Sequence, residues 1–176
     1  SLIEQITAAA TMLEEFVLAC LGFFEHVHVC GVPGNHGRIG RRGQHHKQTN
    51  GDTFVYINLE LRLRGIPSER LSCDLPDEYA VRWHHVDNIG EYSCLLVHGD
   101  EFGGGKSGSV PFTKMKSKCL QWQACSGGGY EMPHFRDVAF GHYHHMSTQM
   151  LPNGACVRGC GSVESSNDFA LRCCAA

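Results

Sequence analysis

Apolar residues recur at Ile3, Ile6, Ala10, Leu13, Val17, Leu21 and Phe24. That spacing keeps one face of an α-helix apolar and predicts a helix over residues 2–24. Gly22 and the β-branched Val27 and Val29 then mark the change to a strand, Val27-His28-Val29-Cys30-Gly31. Residues 53–64 carry two conflicting patterns. Val55, Ile57, Leu59, Leu61 and Leu63 alternate as in a strand, whereas Phe54, Ile57, Leu61 and Arg64 behind a cap at Asp52 fit a helix. Gly65-Ile66-Pro67 ends that element either way. Short strands are expected at 71–74, 79–86 and 93–98, with turns at Pro76-Asp77 and Asp87-Asn88. Residues 111–123 read as a helix with Phe112, Met115, Cys119 and Trp122 on one face, broken at 126–129. Val138-Ala139-Phe140 is a short buried strand. Residues 146–151 and 155–158, joined by Pro152-Asn153-Gly154, read as a hairpin, and 169–173 as a last strand. With no internal repeat and no linker, residues 1–176 read as a single domain.

The chain is 42% hydrophobic and 19% charged, which suits a globular core. A net charge of −3 gives no global pull toward nucleic acid or membrane and leaves only local basic patches to consider. The greasiest window, residues 16–24, is too short to span a bilayer and is bounded by Glu14, Glu15 and Glu25. The first residues carry no basic run and read as a helix, not as a secretory leader. Ten cysteines include no C-x-x-C pair, and Cys119/Cys125 and Cys156/Cys160 are loosely spaced for zinc. Reduced thiols and a cytoplasmic setting are expected.

Three apolar runs stop at a glycine beside a histidine. They end in Gly34-Asn35-His36, in His98-Gly99-Asp100 after Leu95-Leu96-Val97, and in Gly141-His142-Tyr143-His144 after Val138-Ala139-Phe140. Strands of one sheet end on one edge, where open α/β folds bind ligands. An amide oxygen at Asn35 and imidazoles at His36, His98, His142 and His144 can ligate metals or move protons. If the pleat continues, His142 and His144 fall on one side.

As an ordered set, these motifs resemble the calcineurin-like metallophosphoesterase family, whose members include phage and bacterial DNA-repair exonucleases. That family carries D-x-H, then G-D-x-x, then G-N-H with a following acid, then a His before Gly, then G-H-x-H. The last three are here, with Gly37 in the place of the acid, and the first two are not. The resemblance implies a four-layer α/β/β/α sandwich, incomplete at its N-terminus, and a helix over residues 52–64. It implies a dinuclear site for Mn²⁺, with Fe, Zn or Mg as other fits. Asn35, His98 and His142 would ligate one metal, His144 the other, and His36 would protonate the leaving oxygen or steady the phosphoryl group. The function implied is phosphodiester hydrolysis, as by a DNA exonuclease. An upstream segment or a second copy of the chain would complete the site.

The basic loop with Arg38, Arg41, Arg42 and Lys47, and the row Lys114, Lys116 and Lys118, suit a polyanionic substrate or simply a solvated face. Other classes stay open. One is a non-catalytic fragment or subunit that binds at most one metal and acts in assembly or nucleic-acid binding. Another is a Cys/His-rich zinc module, against which the absence of paired cysteines counts.

Overall fold

The computed structural model describes residues 1–41, 44, 49–76, 82–103, 109–127 and 132–162. The expected strand at 169–173 lies outside the described residues, as do Arg42 and Lys47. The chain is α/β and forms two compact units, residues 1–83 and 84–176.

In the first unit, helix α1 spans Leu2–Leu21, β1 Val27–Cys30, α2 Gly51–Leu63 and β2 Leu71–Asp74. A capping box between Ser1 and Glu4 starts α1. Its last residue is Leu21, three short of the expected end, and the amide of the capping Gly22 donates back to the Leu18 and Ala19 carbonyls. Ala10 and Val17 are buried, whereas Ile3 and Phe24, at the ends of the predicted stripe, are exposed. β1 and β2 pair in parallel, Val27 opposite Leu71 and Cys30 opposite Asp74. Val17 of α1, Leu59 and Leu63 of α2, and Leu71 and Leu75 form the core of this unit. Arg62 of α2 reaches Glu14 of α1 at 2.7 Å across the helix pair.

The conflict over residues 53–64 resolves as a helix because its i, i+4 pair, Leu59 and Leu63, is what the core buries. The cap is Asn50, not Asp52. The Asn50 side-chain oxygen accepts from the Asp52 amide at 2.9 Å, leaving the Asp52 carboxylate in the first turn for other use.

In the second unit, β3 spans His84–Ile89, β4 Tyr92–Val97, α3 Phe112–Cys125, β5 Asp137–Phe140, β6 Ser147–Met150 and β7 Cys156–Gly159. Five strands form one mixed sheet in the order β3-β4-β5-β7-β6. β4, β5 and β7 run parallel, and β3 and β6 run antiparallel at the edges. Asp87-Asn88 is not a turn. Both residues pair with β4, opposite Cys94 and Ser93, and the chain reverses at Gly90, where φ is +60°. Leu95, Val138 and Val157 on three neighbouring strands, with Phe102, Met115 and Cys119, make the fully buried centre. Phe112, expected on the buried face of α3, is 46% exposed. Lys118, expected to face a polyanion or solvent, donates to the Glu101 carbonyl and lies 5.8 Å over the Trp122 ring.

Candidate metal centre

Register brings two of the three motifs to one sheet edge. Val97 of β4 lies opposite Phe140 of β5, so His98 and Gly141 leave adjacent parallel strands at the same level. The Gly141 amide donates to the His98 carbonyl at 2.9 Å, extending the ladder by one bond. β7 adds the next step, with the Cys160 amide donating to the Phe140 carbonyl at 2.8 Å.

At this edge His142 Nδ1 stands 3.2 Å from His98 Nε2. Their rings meet edge to face, with centroids 4.9 Å apart and planes at 66°. Both residues are half-buried. Such a pair shares a proton in one hydrogen bond. It also fits an ion: two imidazole nitrogens bound at about 2.0–2.1 Å to one tetrahedral centre stand about 3.3 Å apart. The donor set is imidazole, which suits Zn, Fe and related divalent metals.

The pleat does not continue past Phe140. His142 and His144 both lie at positive φ, 68° and 61°, so strand alternation does not govern where their imidazoles go. Close packing forces the path. At Gly99, φ is +119°, and a Cβ there would sit 3.0 Å from the His142 Cβ and 3.1 Å from the Gly141 oxygen. Tyr143, between the two histidines, is 4% exposed and donates to the Gly99 carbonyl at 3.3 Å. Burial, aided by the charges of Asp100 and Glu101, pushes the Tyr143 phenol up, so it stays a neutral donor at neutral pH.

The third motif belongs to the first unit. β1 is in the two-stranded sheet, so Asn35 and His36 do not leave the sheet edge that His98 and His142 share. Gly34-Asn35-His36-Gly37 is a turn pinned to the start of α2. The Gly34 amide donates to Asp52 Oδ2 at 2.6 Å, and the Asn50 side-chain amide donates to the Gly34 carbonyl at 2.9 Å. The Gly51 amide donates to the Gly37 carbonyl at 2.6 Å. Upstream, Tyr56 donates to the Val32 carbonyl at 2.9 Å. Its burial, with the Asp52 carboxylate nearby, pushes that phenol up to about 12. Asn35 is half-buried, and His36, Arg38 and Arg41 are exposed.

Gly37 now has a physical reason. A Cβ there would lie 2.0 Å from Asn50 Oδ1 and 2.5 Å from Asp52 Oδ1. The acid usual at this place in the resembled family has no room, because these two side chains fill it. Asn50, Asp52, Tyr56 and Tyr143 escape a motif reading. Only Asn50-Gly51-Asp52, a capping signal next to a helical pattern, pointed toward any of them.

No family model matches the chain, and no curated protein matches it. Among solved structures, it is similar to a conserved uncharacterised protein from Streptococcus pneumoniae described as a predicted phosphoesterase. The identity is 13% and the TM-score 0.43, over 90% of this chain and 68% of that one. It is also similar to a single mutant of Vps29 from Entamoeba histolytica, at 14% identity and a TM-score of 0.43, over 88% and 68%. Both TM-scores lie below 0.5, so the reading of the site rests on this chain's own residues.

Proposed function

We propose that this chain carries the metal-holding part of a phosphodiester hydrolase, with His98 and His142 as ligands of one divalent ion. The observation that carries the reading is the 3.2 Å approach of His98 Nε2 and His142 Nδ1 at the ends of adjacent parallel strands. A divalent ion, Mn²⁺ by the motif resemblance and Zn or Fe by the imidazole donors, would supply Lewis acidity toward a phosphoryl oxygen and a nucleophile from water at neutral pH.

The residues divide the remaining work. His98 and His142 would offer ring-nitrogen lone pairs to the ion, and their strand-end backbone fixes them before a substrate arrives. His144 is the candidate ligand of a second ion. By the motif resemblance, Asn35 offers an amide oxygen to a metal, and His36, exposed on its turn, gives a proton to the leaving oxygen. Arg38 and Arg41, exposed after that turn, attract the phosphodiester, and Arg42 belongs to the same basic loop. DNA is one such substrate.

Mn²⁺-dependent hydrolysis of bis-p-nitrophenyl phosphate tests the reading. Activity is expected in the wild type. In His98→Ala and His142→Ala it falls by more than about 100-fold, the upper end for losing a supporting partner only. Full turnover by either variant sinks the assignment.

A further inference from the structure

His142 sits on a backbone that few side chains tolerate. Its φ is 68°, and the Tyr143 amide donates back across it to the Gly141 carbonyl at 2.8 Å. A hydrogen bond spanning one residue at positive φ is a γ-turn of the rare, strained kind. Strain of this sort persists only where the surroundings over-determine it.

Tyr143 supplies that determination. Its hydroxyl donates to the Gly99 carbonyl at 3.3 Å, one residue beyond His98. Its ring meets Phe140 edge to face at 6.0 Å and 81°, which anchors it to the last residue of β5. It meets the His142 imidazole itself at 4.9 Å and 76°. One buried side chain therefore touches the strand that delivers His142, the ring of His142, and the turn that follows His98.

We propose that Tyr143 is the positioning residue of the His98–His142 pair: it clamps the strained turn to the His98-Gly99 turn and so aims one imidazole at the other. The use of the pair as a metal site rests on the function proposed above; the positioning itself does not.

Two readouts on the full chain separate these. The first is long-range ¹H–¹⁵N NMR of the histidine rings in metal-free protein. The wild type shows His142 Nδ1 and His98 Nε2 as the two partners of one hydrogen bond, one ring donating and the other accepting. Tyr143→Phe keeps the ring and loses the hydroxyl, so this signature weakens. Tyr143→Leu loses both, so it vanishes. The second is Co²⁺ titration followed by visible absorption. Affinity falls about 10-fold to 100-fold in Tyr143→Phe, the range for a supporting partner of a ligand, while thermal unfolding stays close to wild type. Wild-type ring signatures in Tyr143→Phe overturn the proposal, and so does unchanged Co²⁺ affinity in that variant. If Tyr143→Leu does not fold, Tyr143→Phe alone decides. If the wild type shows the pair but takes up no Co²⁺, the metal reading falls, and the NMR comparison still decides the role of Tyr143.

Discussion

His142 shows how a site residue can be at odds with its own backbone. A β-carbon at φ 68° costs about 1–2 kcal/mol, whereas glycine carries no such penalty and gives up about 0.5–1 kcal/mol in chain entropy. His142→Gly and His142→Ala both remove the imidazole and differ only in that balance. The glycine variant should be the more stable by about 0.5–1 kcal/mol in urea unfolding. Equal stability, or a more stable alanine variant, would show that the turn holds no strain. Residue identity at this scale was partly legible. Histidine beside glycine at a strand end is a local signal, and His98 and His142 were found by it. Tyr143 was not, because its work is a contact with Gly99, 44 residues away in sequence. Asp52 was misread as a cap for the same reason: its carboxylate serves Gly34, 18 residues upstream.

Most elements were written in their own periodicity. The helices at α1 and α3 and the strands β1, β2, β4 and β5 follow from apolar spacing. β3 shows where local reading stops. Asp87-Asn88 looks like a turn, yet an edge strand tolerates polar residues because one side faces solvent, and the pairing with β4 runs through both. The far end of the sheet from the histidine pair is fastened by Asp137, which begins β5 and is 5% exposed. It accepts from the Cys156 amide at 3.0 Å, Arg158 of β7 at 2.8 Å and the Tyr92 hydroxyl at 3.1 Å. Burial pushes its carboxyl up, but these three donors together outweigh it and hold the group below the usual range near 3.8. A carboxyl held low in the folded state adds stability that is present above the unfolded value and fades as pH falls through the folded one. Asp137→Ala should therefore destabilise by about 1–3 kcal/mol at neutral pH, because the buried Cys156 amide and the half-buried Tyr92 hydroxyl lose their acceptor. The gap from wild type should narrow once pH drops below 3.8. A gap that stays constant from pH 7 to pH 3 in denaturant titrations would contradict this role.

For the molecule as a whole, the α/β class was legible, while the assignment of strands to sheets was not. Local pattern says that Val27–Cys30 is a strand. It does not say that its partner is β2 in a two-stranded sheet while the other two motif strands share a five-stranded one. That choice depends on which side chains each unit buries, such as Leu59 and Leu71 in the first and Leu95 and Val138 in the second. Among the described residues, no helix is long and apolar enough to cross a membrane. If the second unit holds a divalent ion between His98 and His142, calorimetric titration with Mn²⁺ of the wild type, His98→Ala and His142→Ala reveals it. A site that binds in the wild type and is lost in both variants, with folding intact, is the predicted result. Mn²⁺ binding that survives either substitution would contradict it.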